Sequence, residues 1–247
     1  STNRKSTEKT VICSHNSVIG KNIQPIQSCQ GDKVEIIERP RGGISIIMAE
    51  GKLGGRHSRT IAMKAVHSIM SLIASGLHDG AASRIVLSNI IEEHKGKAQV
   101  NLNIISCDLE SQSIVITKNN TTPVVTVFEG IAEYLRFDGI IDADHSSSPS
   151  VFQFEIEEGR DFILVSDGIL QAGAQYEQPL DLRVLVESLF EDDEPTVQAM
   201  ADAILTQAIS QDLGRPRDDM TVTVLRISPS PTNNIRREYV HFPINEP

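Results

Sequence analysis

Two apolar runs around a Pro/Gly-rich turn predict a β-hairpin in the first quarter of the chain. The runs cover residues 33–38 and 44–49, and the turn between them contains Pro40, Gly42 and Gly43. Such turn residues between β-favouring runs are typical of antiparallel strands. Antiparallel pairing would bring the two open ends of the hairpin together. Asp32 and Glu50 are the acids at those ends.

A second pattern places a carboxylate at the end of a buried strand. Residues 162–165 are apolar and β-favouring, and Ser166-Asp167-Gly168 follows them directly. Glycine lets the backbone turn sharply there, so the strand would deliver the carboxylate of Asp167 to its rim, as a metal ligand is often presented. An ordinary Asp-Gly turn after a buried strand has the same pattern. Other carboxylates must therefore decide between the two interpretations.

The remaining periodicity predicts further helices and strands. Apolar residues at helical spacing predict helices over about residues 58–74, 79–94, 182–190 and 196–212, with Asp79 as the N-cap of the second. Period-two and β-rich runs predict strands at 10–13, 100–104, 113–117, 124–128, 152–156 and 221–227, and those between 100 and 128 are expected to be consecutive sheet strands. Residues 129–150 show neither period and are predicted to be irregular. Their Asp142, Asp144 and His145 are interpreted as part of a surface loop, in preference to a metal cluster.

Composition limits the compartment and the class of partner. The 247 residues show no obvious linker, which predicts one domain over 1–247, with a core at about 10–227 and a peripheral tail at 228–247. The net charge of −10 argues against nucleic acid or an anionic membrane as partner and suits divalent cations. No apolar run approaches the roughly 18 residues of a membrane span, and the polar N-terminus lacks a signal pattern, so we expect a cytoplasmic protein. Cys13, Cys29 and Cys107 lack C-x-x-C spacing and are expected to be reduced structural thiols.

Acids stand at four predicted strand ends. They are Asp32, Glu50, Asp167 and the pair Asp218-Asp219, which precedes the last strand. Oxygen-only ligands favour hard cations such as Mg²⁺ or Mn²⁺ over zinc. Two such cations about 3.5 to 4 Å apart can generate hydroxide at neutral pH and stabilise an in-line displacement at phosphorus. The pattern alone leaves open whether the four ends converge.

The order and spacing of these acids resemble the SpoIIE branch of the PPM metal-dependent protein phosphatases. The features that match are Gly31-Asp32, Glu50-Gly51 before a glycine-rich turn and helix, Ser166-Asp167-Gly168, and Asp218-Asp219-Met220-Thr221-Val222. The last two motifs are fairly specific in combination, and the similarity covers roughly residues 10–227. The chain departs from the family at one ligand position, because the family has Asp-Gly where this chain has Glu50-Gly51.

The resemblance implies a fold and an activity. The fold would be α+β, with a central β-sandwich of two antiparallel sheets flanked by helices. The activity would be hydrolysis of phosphoserine or phosphothreonine on a protein, by a hydroxide bound to two Mn²⁺ or Mg²⁺ ions at one edge of the sandwich. No side chain is expected to act as the nucleophile. By kinship, the substrate would be a STAS-domain anti-anti-sigma protein or a similar partner-switching regulator.

The resemblance also implies a role for each acid. Asp32 would hold one metal, Asp167 and Asp218 would hold the other, and Glu50 would bridge both, helped by the carbonyl group of Gly51. Motif alignment favours Asp218 over Asp219 as the ligand. Because Glu50 is one methylene longer than the family's aspartate, an alternative function remains. The chain would then be a phosphatase-fold binding module that has lost efficient chemistry and works by docking a partner.

Overall fold

The computed structural model describes residues 9–18, 31–52, 57–135 and 148–229. Their strands are β1 (Lys9–Val18), β2 (Asp32–Glu38), β3 (Gly43–Lys52), β4 (Gln99–Asp108), β5 (Ser113–Lys118), β6 (Val124–Phe128), β7 (Ile131–Tyr134), β8 (Ser150–Glu155), β9 (Asp161–Val165) and β10 (Met220–Pro229). Their α-helices are α1 (His57–Ala74), α2 (Asp79–Glu93), α3 (Asp167–Leu170), α4 (Leu182–Ser188) and α5 (Val197–Gln211), with a short 3₁₀ helix at Ala174–Tyr176. The four longer helices begin and end within about two residues of the predicted positions.

The strands form two antiparallel sheets. Sheet I has the order β2-β3-β4-β5-β8, and sheet II has the order β1-β10-β9-β6-β7. Every neighbouring pair in both sheets is antiparallel. The predicted α+β sandwich of two antiparallel sheets is therefore confirmed.

Three hydrophobic clusters hold the layers together. One lies between the sheets and includes Ile46 and Met48 of β3. A second packs α1 and α2 on the outer face of sheet I through Ile47 and Ala49 of the same strand. The third packs α4 and α5 on sheet II. Because β3 is buried on both faces, its apolar run is continuous instead of alternating.

The start of α2 differs from the prediction. The N-cap is His78, and Asp79 is the first helical residue and makes no cap. Asp79 is buried, and its Oδ1 accepts a hydrogen bond from Nη1 of Arg39 at 2.7 Å. The carboxylate is thus used in a buried ion pair with the β2–β3 turn, which sequence spacing does not reveal.

The path of the chain between residues 113 and 135 also differs from the prediction. β4 and β5 are neighbours as expected, but β6 belongs to sheet II. The crossing between the sheets is held by Asn119, whose side chain accepts from the backbone of Leu102 at 2.7 Å and donates to the carbonyl of Val100 at 2.8 Å. These side-chain bonds replace the strand ladder at the point where the chain leaves sheet I.

Residues 129–150 are not wholly irregular, as they were predicted to be. The backbone at Glu129 and Gly130 has positive φ angles of 51° and 78°, and the turn they form returns the chain as β7, which pairs with β6. A four-residue strand is too short to show a period. Asp142, Asp144 and His145 lie outside the described residues.

Three other expectations concern the ends of the chain, the cysteines and the membrane. β1 extends from residue 9 to 18, longer than the predicted 10–13, because it pairs along its whole length with β10. Cys107 is buried in the core between the sheets. Cys29 lies outside the described residues, and so does the tail after residue 229. Within the described part of the chain, no helix combines the length and apolar character needed to cross a membrane.

Candidate metal centre

The β2–β3 hairpin brings two of the predicted ligands together. Asp32 and Glu50 are direct partners in the antiparallel register, at the open end of the hairpin. The pairing continues one residue further, because the amide of Gly51 donates to the carbonyl of Gly31 at 3.0 Å. Glu50 is 2% exposed, so its carboxylate points into the protein at the edge of the sandwich.

The end of β9 adds the third carboxylate. Asp167 follows the strand after one residue and begins α3, and its amide donates to Oε1 of Glu50 at 3.2 Å. This bond joins the two sheets at the predicted site. Ser166 fixes the same turn, because its hydroxyl donates to the carbonyl of Asp219 at 3.0 Å and accepts from the amide of Thr221 at 2.9 Å.

The start of β10 adds the Asp218-Asp219 pair, in which the two carboxylates have different environments. Oδ2 of Asp219 accepts from the amides of Gly31 at 2.6 Å and Asp32 at 3.1 Å, so this carboxylate orders the start of β2. Asp218 is exposed and accepts from the amide of Asp219 at 2.8 Å. Thr221 reaches across as well, donating its hydroxyl to Oδ2 of Asp32 at 2.8 Å. The four acidic strand ends therefore lie together.

Two glycines are required by close backbone approaches at the site. A Cβ atom on Gly168 would lie 2.2 Å from the carbonyl oxygen of Asp219, and one on Gly51 would lie 2.0 Å from the carbonyl oxygen of Ser58. Both distances are far shorter than any tolerable contact. The glycine that follows Asp167 and the one that follows Glu50 thus let neighbouring backbone segments meet at the acids.

The electrostatics of the cluster favour a cation. Burial, together with the charges of Glu50, Asp219 and Asp218, raises the pKa of Asp32 to about 8. Burial and the charge of Asp167 raise the pKa of Glu50 to about 7. Burial also raises the pKa of Asp219, against the lowering effect of its two backbone hydrogen bonds. Carboxylates that resist ionisation in this way are stabilised as anions by a nearby positive charge.

Lys52 supplies one such charge and was not predicted from the sequence. Its Nζ lies 2.5 Å from Oδ2 of Asp167 and 3.4 Å from Oε2 of Glu50. Asn101, which stands opposite Glu50 in β4, donates to the same Oε2 at 3.2 Å. The period of a strand could have indicated Lys52, because it lies two residues beyond Glu50 and therefore on the same face.

The chemistry of the donor set fits a hard divalent cation. The clustered side chains offer carboxylate oxygens, as Mg²⁺ and Mn²⁺ prefer, and their raised pKa values call for a compensating charge. Among the described residues, however, no three His, Cys, Asp or Glu side chains are already arranged to hold a metal ion. Lys52 stands between two of the carboxylates. The donor atoms therefore suit a hard divalent cation, while the ammonium group of Lys52 contacts two of the carboxylates.

Solved structures with this architecture are PPM phosphatase domains. The SpoIIE cell fate determinant of Bacillus subtilis, solved as its PP2C phosphatase domain with a fragment of its regulatory domain, is 21% identical with a TM-score of 0.70, over 90% of this chain and 65% of that one. The structure of RsbU and RsbW domains from Mycobacterium tuberculosis is 13% identical with a TM-score of 0.69, over 90% and 61%. The catalytic domain of the serine/threonine phosphatase PstP, solved with two manganese ions, is 14% identical with a TM-score of 0.66, over 90% and 100%. The chain spans less than two thirds of the first and second of these chains. The fold is that of the PPM class.

The particular family is given by sequence. The model of the stage II sporulation protein E (SpoIIE) family matches residues 57–228, well over half of the chain. The chain therefore belongs to the SpoIIE family. Asp167 and Asp218 lie inside the matched region, whereas Asp32 and Glu50 precede it. No curated protein matches the sequence.

Proposed function

We propose that this chain is a phosphatase that hydrolyses phosphoserine or phosphothreonine on a protein, using two Mn²⁺ or Mg²⁺ ions. The observation that carries the proposal is the meeting of four acidic strand ends at one edge of a PPM fold. Asp32 faces Glu50 in one sheet, and the amide of Asp167 from the other sheet donates to Glu50. A merely structural set of acids has no need for this concentration of buried negative charge.

The proposed ligands are those that the family resemblance implies. Asp32 would hold one ion, Asp167 and Asp218 would hold the other, and Glu50 with the carbonyl of Gly51 would complete the set. When bound, the two ions would supply a hydroxide nucleophile at neutral pH and would neutralise the charge that develops at phosphorus. The neutral donors around the acids keep them in position: Asn101 and the amide of Asp167 orient Glu50, and the hydroxyl of Thr221 orients Asp32.

Two structural neighbours support a proposal about the class of substrate. One neighbour is the SpoIIE cell fate determinant and another contains RsbU and RsbW domains. By kinship with these proteins, we propose a phosphorylated STAS-domain anti-anti-sigma protein or a similar partner-switching regulator as the substrate.

Metal dependence is the first test of this function. We expect phosphate release from p-nitrophenyl phosphate and from a phosphoserine protein in the presence of Mn²⁺, and its loss in EDTA, because the acids alone provide no nucleophile. The measurement is the initial rate under both conditions, with Mn²⁺ restored after chelation to show that the protein has survived. Equal rates with Mn²⁺ and with EDTA would contradict the proposal.

A second candidate is a binding module with this fold that works by docking a partner. Two observations favour it: the glutamate at position 50, and Lys52 placed between Glu50 and Asp167. In the structure the longer glutamate has its own contacts, since Oε1 accepts from the amide of Asp167 and Oε2 from Asn101. The site is thus built around Glu50, which favours the enzyme over the docking module.

The variant Glu50→Asp separates the two candidates. Shortening the side chain by one methylene withdraws the carboxylate by about 1.5 Å, out of reach of the amide of Asp167. We therefore expect lower Mn²⁺ affinity and lower turnover than in the wild-type protein. Parallel Mn²⁺ titrations and phosphatase assays measure both, and Glu38→Asp, at the other end of β2, is the matched control. A clear gain in both quantities would show that the native site is impaired and would favour docking.

A further inference from the structure

Lys52 makes one of the contacts that link the two sheets at the acidic cluster. It is the last residue of β3 in sheet I, and its ammonium group reaches Asp167, which follows β9 of sheet II. The same group lies 3.4 Å from Oε2 of Glu50. Its side chain is 37% exposed, so the cation lies at the surface end of the cluster while Glu50 lies beneath it.

The contacts of Lys52 are with oxygens that a metal would need. Both carboxylates that it contacts belong to the proposed ligand set, and Oδ2 of Asp167 is engaged at 2.5 Å. Because Glu50 is almost completely buried, leaving its carboxylate without a positive neighbour would be costly. Lys52 therefore supplies part of the positive charge that a divalent cation would bring to these carboxylates.

An ammonium group and a divalent cation cannot share these oxygens without repulsion. Two positive charges about 4 Å apart repel each other strongly at a partly buried site. Binding of a metal by Glu50 and Asp167 thus requires the lysine to leave at least one of them. The flexible four-carbon stem and the partial exposure of Lys52 allow that movement without a change in the backbone.

We propose that Lys52 is an internal counter-cation that competes with the divalent metal for Glu50 and Asp167, stabilising the metal-free protein and weakening its affinity for metal. The inference rests on the metal site of the proposed function. It assigns to Lys52 a role in setting the metal concentration at which the site fills. Metal binding and the lysine contact are coupled equilibria, so removing one strengthens the other.

The test compares Lys52→Met with the wild-type chain. Methionine keeps much of the side-chain length and removes the charge. We expect Lys52→Met to bind Mn²⁺ about tenfold more tightly, within the usual range of coupling between two sites, and to unfold at a lower temperature in EDTA. Affinity is measured by calorimetry and by the electron paramagnetic resonance signal of free Mn²⁺, and stability by thermal unfolding. Neither readout depends on phosphatase activity.

Two further variants control for folding and for net charge. Lys52→Gln also removes the charge and can still donate a hydrogen bond, so it answers the question if Lys52→Met does not fold in EDTA. Lys33→Met removes the same charge from the neighbouring strand, where Lys33 pairs with Glu35 at 2.5 Å. Affinity should rise in both Lys52 variants and stay at the wild-type value in Lys33→Met.

The outcomes separate this inference from the proposed function. Unchanged or weaker Mn²⁺ binding in both Lys52 variants, with clear binding by the wild-type protein, overturns the counter-cation role and leaves the proposed function standing. An equal gain in Lys33→Met overturns it too, because net charge would then be the cause. Absence of Mn²⁺ binding in every variant and in the wild-type protein overturns the metal site itself.

Discussion

Asp167→Asn is expected to reduce phosphate release by more than about a hundredfold. This loss is larger than the one that follows removal of a residue that only positions a metal ligand. Asparagine has the shape of aspartate but lacks the charge that a divalent cation requires. The amide of residue 167, which donates to Glu50, is retained in the variant. The loss should therefore come from the missing charge and not from a displaced turn. The measurement is the initial rate with saturating Mn²⁺ on a phosphoserine protein.

The control for this variant is Asp193→Asn, which removes the same charge from the exposed acidic connection between α4 and α5. Its rate should match that of the wild-type protein. Thermal unfolding of both variants shows that each is folded. A wild-type rate in Asp167→Asn would mean that this acid only closes the turn after β9, as an ordinary Asp-Gly sequence does.

Gly168→Ala is expected to cause a large loss of stability and of metal binding together. The Cβ atom of the alanine would lie 2.2 Å from the carbonyl oxygen of Asp219. A backbone atom cannot move aside as easily as the end of a flexible side chain. Overpacking of this kind costs about 1 to 3 kcal/mol, and more where nothing can move. Relief would push the start of β10, with Asp218 and Asp219, away from the other acids. Thermal unfolding and Mn²⁺ titration report the two effects.

A matched alanine distinguishes this clash from a general intolerance of the site. Gly31 adjoins Asp32 and has no positive φ angle, and a Cβ atom there would meet its nearest neighbours at 3.6 Å, an ordinary contact. Gly31→Ala should unfold close to the wild-type temperature and bind Mn²⁺ normally. If Gly168→Ala behaves in the same way, the close packing of the turn after β9 against β10 has no energetic importance.

The sequence predicted the arrangement of the acids better than the polar groups around them. The hairpin pattern correctly placed Asp32 beside Glu50, because two strands and a short turn leave little choice of partner. The apolar run before Asp167 correctly indicated a buried strand, since its burial does not depend on which strands flank it. Their roles as metal ligands stay predictions.

What the sequence did not reveal depends on tertiary partners. Lys52 and Asn101 are polar residues in strands, and Arg39 directly follows β2. Such residues usually face solvent, but here each contacts a carboxylate from a distant part of the chain. The move of β6 into sheet II has the same origin, because β6 pairs there with the distant strand β9. The strand β7 was missed for another reason: it is the hairpin partner of β6, and its four residues show no period. Apart from β7, these features are determined by side-chain bonds and strand pairings between segments far apart. The period of β3 places Lys52 on the same face as Glu50, but local periodicity does not identify Asp167 or the other distant partners.

The hydrogen bond from the amide of Asp32 to Asp219 joins residues 187 positions apart, and β1 pairs with β10 at the far end of the sequence. A ribosome releases these segments in order, so β2 and β3 emerge long before the strand that anchors their open end. Both partners of the Asp32–Glu50 pairing lie in the first half of the chain, but the acids from β9 and β10 join them only after most of the domain has been synthesised. Closing so long a loop is slow. The proposed metal centre is accordingly expected to be the last part of the protein to mature, and until then the nascent chain carries only some of the proposed ligands.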